Sequence, residues 1–160
     1  MKKLVSTLTA ILGISTLAAQ DVVVKGSDEK LQLAVFVQNE TKPCYSVSYN
    51  GKTMLEKSPL GMNTNIGDFT KNLKLTGHSV DKIDTVYQQT RIKVSNVHYR
   101  ANELTCHLEN EQGQKLGVIF RVSDNDVAFR YTLPHQGGKA SVTVKEEQTG
   151  FRFPEQTTTF

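Results

Sequence analysis

The stretch LGVIFRVSDNDVAFRYT, residues 116–132, decides the fold of this chain. On both sides of its central SDND, apolar residues occupy every second position, which is the period of half-buried β-strands. Serine, aspartate and asparagine at its centre are typical of tight turns, because their short polar side chains bond to nearby backbone. The stretch therefore predicts two strands, residues 116–123 and Val127–Thr132, joined by a hairpin turn at Asp124-Asn125-Asp126.

The rest of the chain repeats this pattern of short alternating segments between turns. Residues 31–38 and Cys44–Tyr49 alternate in the same way, and the second of these runs into Asn50-Gly51, a strong hairpin signal. Further strands are predicted at residues 92–99, 104–108 and 140–144. No segment of ten or more residues has helical spacing of apolar side chains, although residues 68–75 offer one short helical turn. These features predict an all-β fold, an antiparallel two-sheet β-sandwich.

Residues 1–19 have the features of a secretory signal peptide. Two lysines stand near the start, residues 4–17 carry no charge, and small residues end the segment. The uncharged run is shorter than the ~20 residues that a membrane-spanning helix needs. We expect cleavage after Ala19, export of the protein, and one mature domain over residues 20–160.

The charge of the mature chain argues against a nucleic-acid partner. The formal net charge is +3, and removal of the two N-terminal lysines leaves 17 basic and 16 acidic residues, a net charge of +1. Basic and acidic residues are interspersed, which is typical of a solvated surface and not of a basic patch.

No motif of the chain predicts a catalytic, cofactor-binding or metal-ligating residue. There is no GxSxG, no phosphate-binding glycine loop and no CxxC, and the four histidines lack metal-ligand spacing: His78, His98, His107 and His135. Asp124-Asn125-Asp126 resembles the start of a calcium loop but lacks the required glycine and distal glutamate, so a hairpin turn is favoured. The acids in polar context show no spacing that indicates a glycosidase pair: Glu40, Glu56, Asp68, Glu103, Glu147 and Glu155.

Three groups of residues leave alternatives open. Cys44 and Cys106 are either small half-buried apolar residues, which we favour, or a disulfide permitted by export. Arg121 and Arg130 are either outward-facing residues, which we favour, or cations stacked on aromatics that face a ligand. Tryptophan is absent, so stacking on a sugar ring would depend on tyrosines, which are also common core residues of strands. The tyrosines are Tyr45, Tyr49, Tyr87, Tyr99 and Tyr131.

Three strings in order along the chain resemble glycoside hydrolase family 97. YSVSYNGK (residues 45–52) followed by SPLG (58–61) is similar to the opening of that family, and FRVSDNDVAFRY (120–131) to its strand-turn-strand signature. EEQTGFRFP (146–154) is similar to the segment that closes this portion. One departure is the stretch YQQTRIK (87–93), where many members have a tryptophan.

The resemblance implies the N-terminal β-sandwich, of super-sandwich type, of an exported and often periplasmic α-glucosidase or α-galactosidase. Such enzymes carry their catalytic carboxylates on a (β/α)₈ barrel and hold calcium mainly through glutamates of that barrel. Residues 1–160 include no position that matches those catalytic or calcium residues, and the sequence is expected to be a fragment that precedes the barrel.

Three hypotheses follow from these features. The first is a non-catalytic support domain, inactive alone, whose partners are the barrel of the same parent chain and an α-linked oligosaccharide substrate. The second is a stand-alone exported carbohydrate-binding module. The third is a structural piece of a cell-surface assembly.

Overall fold

The computed structural model describes residues 21–37, 42–89, 96–135, 138 and 141–158, and this part of the chain contains strands and no helix. The all-β prediction is therefore confirmed. The strands are β1 (Val22–Lys25), β2 (Leu31–Phe36), β3 (Cys44–Tyr49), β4 (Lys52–Pro59), β5 (Met62–Thr64), β6 (Lys74–Gln88), β7 (Asn96–Glu109), β8 (Lys115–Val122), β9 (Val127–Thr132) and β10 (Val144–Glu147). The predicted signal peptide, residues 1–19, and residues 90–93 of the YQQTRIK stretch lie outside the described residues. None of the described residues forms a helix that could cross a bilayer.

Two four-stranded antiparallel sheets pack face to face and form the sandwich. The first has the order β1-β2-β3-β4 and the second the order β6-β7-β8-β9, so each strand pairs with its neighbour in sequence. Across the interface, β1 lies against β7 and β2 against β8. The short strands β5 and β10 pair with each other beside the first sheet.

The core lies between the two sheets and is built from alternate residues of each strand. In β2, Leu31, Leu33 and Val35 are buried, and the facing strand β8 contributes Val118 and Phe120. Val37 and Val47 continue the same pattern. Their side chains face the core because successive residues of a strand point to opposite faces of the sheet. The alternation in the sequence therefore identified the buried face correctly.

Both predicted hairpin turns are present. Asn50 and Gly51 have φ values of 49° and 77°, the two positive values that a type I′ turn requires between β3 and β4. In the turn between β8 and β9, the Oγ of Ser123 accepts hydrogen bonds from the amides of Asn125 and Asp126. It also donates to the Asp126 carboxylate at 2.6 Å, so the side chains of this turn satisfy one another.

The largest difference from the sequence prediction is the hairpin of β6 and β7. The sequence predicted two separate strands within 92–108, whereas one strand runs over Asn96–Glu109, and the predicted start at 92–95 lies outside the described residues. β6 was not predicted, because apolar and polar residues do not alternate along it. It forms through pairing with β7. Residues 68–73 form bends and one bridge, so the short helical turn that the sequence left open there is not present. The last described strand begins at Val144 and residues 141–143 precede it without strand structure, while residue 140, where the predicted strand began, lies outside the described residues.

Residues 144–153, here called the edge segment, extend the first sheet beyond β4 and β5. Its first part is β10, which pairs with β5. The amides of Gln148 and Gly150 then donate to the carbonyls of Gly61 and Pro59, and the Glu56 amide donates to Arg152. The segment is therefore the last strand-like element of the first sheet in the described part of the chain.

Candidate functional surfaces

The acids named in the sequence analysis are placed on separate elements. Asp68 accepts hydrogen bonds from the backbone and hydroxyl of Thr70, and these bonds hold the pKa of its carboxyl below the usual value. Glu103 on β7 pairs with Arg121 on β8 at 2.6 Å. The remaining acids lie at exposed positions, Glu56 on β4, Glu147 on β10 and Glu155 after the edge segment, while Glu40 lies outside the described residues. Among these described acids, the structure records no contact between two carboxylates.

The described histidines, cysteines and acids form no group of three that could hold a metal ion. His98 contacts Asp84, and the other three histidines are exposed. In the turn that resembled the start of a calcium loop, both aspartates form hydrogen bonds within the protein. The Asp124 carboxylate accepts a hydrogen bond from the Asp28 amide, and the Asp126 carboxylate accepts one from the Ser123 hydroxyl. The predicted hairpin turn at these residues is present.

Arg121 and Arg130 point away from the core, as favoured from the sequence. β9 places Phe129 and Tyr131 opposite Phe120 and Val118 on the core face, so Arg130 lies on the outer face. The cation is therefore not stacked between its two aromatic neighbours in sequence.

Cys44 and Cys106 are not joined in a disulfide. Cys106 on β7 is 1% exposed, and burial raises the pKa of its thiol to about 12, which makes it unreactive at neutral pH. Cys44 is half-buried on β3 and donates to the carbonyl of Lys42 at 3.3 Å.

Five rings from both sheets form an aromatic cluster: Tyr45, Phe120, Phe129, Tyr131 and Phe151. Phe120 lies 5.5 Å from Phe129 and 5.9 Å from Tyr45, measured between ring centroids. Phe151 of the edge segment lies 6.4 Å from both Tyr45 and Phe129. These are distances at which aromatic pairs stabilise a core beyond their area burial. The cluster therefore ties the edge segment to the second sheet.

The two tyrosines of the cluster also bind through their hydroxyls. Tyr45 donates to the carbonyl of Gly150 at 3.1 Å, and burial raises the pKa of its phenol to about 12. The Tyr131 hydroxyl accepts the Gly61 amide at 2.9 Å and shares a hydrogen bond with Thr149, and burial raises its pKa as well. The Tyr45 ring is buried, and the hydroxyls of both tyrosines are bonded within the fold.

Tyr49, Tyr87 and Tyr99 are the remaining tyrosines considered for sugar stacking. Tyr49 and Tyr87 are 38% and 42% exposed, and Tyr99 is half-buried. The last two lie on the distal half of the β6–β7 hairpin, which extends beyond the end of β8.

This distal half, residues 83–88 and 96–101, is here called the ribbon. Register places Tyr87 opposite Val97 and Ile83 opposite Ala101, and these residues share the outer face of the second sheet. The other face carries Asp84, whose carboxylate contacts His98 and Arg100. The hydrogen bond from His98 lowers the pKa of the Asp84 carboxyl. This ion group could not be predicted from the sequence, because its members meet only through strand pairing.

The fold and these surfaces define a class, the antiparallel β-sandwich domain. The family model described as "Glycosyl-hydrolase 97 N-terminal" matches residues 24–160. The chain belongs to glycoside hydrolase family 97, as its three strings indicated.

Three known proteins are similar to this chain. A crystal structure of a β-arabinopyranosidase is 99% identical, with a TM-score of 0.84 over 86% of this chain and 22% of that chain. A family 97 enzyme from Pseudoalteromonas sp. strain K8, solved with panose, is 26% identical, with a TM-score of 0.76 over 84% of this chain and 20% of that chain. A "probable retaining alpha-galactosidase" from Streptomyces bingchenggensis (strain BCW-1) is 33% identical over 112 residues, which are 70% of this chain and 17% of that protein. The chain thus spans about a fifth of the length of these relatives.

Proposed function

We propose that this chain is the N-terminal, non-catalytic support domain of an exported family 97 glycosidase. The observation that carries the proposal is the match of residues 24–160 to the N-terminal domain of the family, together with the much greater length of the relatives. The partners of Asp68 and Glu103 are consistent with a non-catalytic role, because Asp68 accepts a hydrogen bond from Thr70 in the same loop and Glu103 pairs with Arg121 on the neighbouring strand β8.

The substrate proposed for the whole enzyme is a terminal β-L-arabinopyranoside or α-D-galactoside. Two relatives are named for these activities, and the two sugars carry the same arrangement of substituents at C1 to C4. Galactose adds a hydroxymethyl group at C5. An α-glucoside, which the family resemblance also implies, has the opposite configuration at C4. It is therefore less similar to the sugars for which these two relatives are named.

The physical task of the domain is to pack beside the catalytic (β/α)₈ barrel of the same parent chain and to order the loops around the sugar pocket. Catalytic groups act only when a supporting shell holds them in productive geometry. The aromatic cluster should make the domain rigid. In it, Tyr45 of the first sheet contacts Phe129 of the second sheet and Phe151 of the edge segment.

The test compares the purified 160-residue chain with the intact β-arabinopyranosidase on aryl β-L-arabinopyranoside, α-D-galactoside and α-D-glucoside. We expect turnover by the intact enzyme and none by the chain alone. Hydrolysis by the chain that persists after gel filtration and follows its elution profile would overturn the non-catalytic role.

Export and calcium are further parts of this proposal. Export to the periplasm predicts a mature chain that begins at Gln20, and mass spectrometry of the protein from a periplasmic extract measures this directly. Calcium is proposed for the whole enzyme only, so chelation should lower the activity of the intact enzyme and leave the melting temperature of the 160-residue chain unchanged. A large shift in that melting temperature would place a calcium site within this chain.

The stand-alone carbohydrate-binding module stays the alternative, and the exposure of Tyr49 and Tyr87 is the observation in its favour. Calorimetry of the chain with melibiose, maltose and longer oligosaccharides separates the two functions. Millimolar or tighter binding that is lost in Tyr87→Ala and kept in Val86→Ala would favour the module.

A further inference from the structure

The turn between β3 and β4 contains the one Asn-Gly pair of the 160-residue sequence. Asn50 and Gly51 are both exposed at the tip of this hairpin. A Cβ placed on Gly51 would have no heavy atom within 4 Å beyond its chain neighbours, so no other part of the described chain covers the tip. The structure records no hydrogen bond between the Asn50 carboxamide and another described residue. This carboxamide is therefore open to reaction with its own backbone and with water.

An asparagine followed by a glycine can lose its side-chain nitrogen in water without a catalyst. The backbone nitrogen of the glycine attacks the side-chain carbonyl carbon and forms a C–N bond, and the carboxamide nitrogen leaves as ammonia with the proton of the glycine amide. Water then opens the resulting cyclic imide at either carbonyl and leaves aspartate or isoaspartate. Nothing is oxidised or reduced, since the sum is an exchange of ammonia for water. Glycine favours the attack because it has no Cβ to hinder ring closure.

The attacking group, the Gly51 amide, lies outside the hydrogen-bonded ladder of the hairpin. Register pairs Tyr49 with Lys52, and in a hairpin with a two-residue loop this closing pair exchanges the last backbone hydrogen bonds of the ladder. The neighbouring amide of Asn50 donates to the carbonyl of Lys30 at 2.9 Å. The Gly51 amide therefore gives up no ladder bond when it attacks.

The folded turn keeps the attacking nitrogen and the carboxamide apart. Asn50 has a φ of 49°, the left-handed conformation of the first central residue of a type I′ turn. In this conformation ψ is about +47°, and the Gly51 nitrogen then lies nearly opposite to the Asn50 Cβ across the Cα–C bond. Ring closure needs these two atoms on the same side of that bond. The turn must therefore open before the imide can form.

We propose that Asn50 is a site of spontaneous deamidation and that opening of the β3–β4 turn sets its rate. Opening breaks the closing pair of Tyr49 and Lys52 and the bond to Lys30, and local openings of this kind cost much less free energy than global unfolding. The product has a carboxylate at residue 50. Isoaspartate also lengthens the backbone by one methylene group, so the turn can no longer close with its original geometry. The inference goes beyond the proposed function and does not depend on it.

The first test incubates the purified protein at mildly alkaline pH, both folded and in concentrated urea, and locates deamidation by mass spectrometry of tryptic peptides. We expect Asn50 to react about ten- to hundredfold more slowly in the folded protein than in urea. In urea it should react at least about tenfold faster than Asn125, which the bulkier Asp126 follows. Equal rates in the two states overturn the proposal. Faster reaction of Asn125, or no reaction of the folded protein over several hundred half-lives of the urea sample, also overturns it.

The second test uses two substitutions to separate the backbone change from the added charge. Asn50→Gly cannot deamidate and keeps a pair that suits a type I′ turn, so the aged variant should not be a substrate of isoaspartyl methyltransferase, whereas the aged wild-type protein should be. Asn50→Asp carries the charge of the aspartate product. We expect the Lys52 amide to exchange its hydrogen at least about tenfold faster in protein that contains isoaspartate than in Asn50→Asp. Methylation of aged Asn50→Gly to the wild-type level, or equal exchange rates, contradicts the proposal.

Discussion

Replacement of Phe120 by alanine should be among the most damaging single changes in the described part of this chain. The side chain is 0% exposed and contacts the ring of Tyr45 across the sandwich and the ring of Phe129 on the neighbouring strand β9. Truncation of a buried phenylalanine costs about 3–5 kcal/mol, since transfer free energy is lost and a cavity remains. Two ring pairs, each contributing about 0.5–1.5 kcal/mol beyond area burial, place the loss near the upper end of that range. This is a large fraction of the ~5–15 kcal/mol that stabilises an ordinary domain.

Urea unfolding followed by circular dichroism measures the loss, because the chain has no tryptophan for fluorescence. Phe120→Leu keeps most of the volume and should cost about 1.5 kcal/mol, mainly through the lost ring pairs. Val86→Ala on the ribbon, at 63% exposure, serves as the control and should change the free energy of unfolding by less than about 0.5 kcal/mol. A cost below about 1 kcal/mol for Phe120→Ala, with an unchanged denaturant slope, would refute the packing described for the core.

Three further predictions concern the loops and tyrosines. Gly61→Ala should cost about 1–3 kcal/mol, since φ is 134° and the added Cβ would lie 2.5 Å from a backbone oxygen. Gly77→Ala is the control and should be near neutral, because nothing lies within 4 Å of the added Cβ. Equal melting temperatures for the two variants would contradict this prediction. Ser123→Ala should cost about 1 kcal/mol in urea unfolding, because two amides of the hairpin turn lose their acceptor, and an unchanged midpoint would show that the turn does not need its hydroxyl. Burial raises the pKa of Tyr45 to about 12 and raises that of Tyr131, so the stability they contribute is present below pH 10 and is lost as the pH rises from about 10 to 12. Absorbance at 295 nm should show tyrosines that ionise only with unfolding, and a titration in which every tyrosine ionises near pH 10 would count against their burial.

Local pattern was sufficient for the strands with one buried face. Leu31–Phe36, Cys44–Tyr49 and the two strands within 116–132 alternate because every second side chain enters the core. The turn after Cys44–Tyr49 carries the asparagine and glycine that its positive φ angles require, and the turn within 116–132 carries a serine whose hydroxyl bonds to its backbone. The same logic failed for β6, whose side chains are exposed on most of its length. A strand without a buried face carries no period in its sequence, so β6 and the ion group around Asp84 were missed.

The sequence by itself determined the fold class, the buried faces of the central strands, the turn chemistry and, through three strings, the family. These properties depend on neighbouring residues and on their spacing. Only the tertiary structure decided that the edge segment joins the first sheet and that five rings meet in one cluster. These contacts join residues as far apart as Tyr45 and Gly150, and their partners are chosen by sheet order and packing rather than by local preference. Sequence spacing carries no record of which distant strand will lie opposite which.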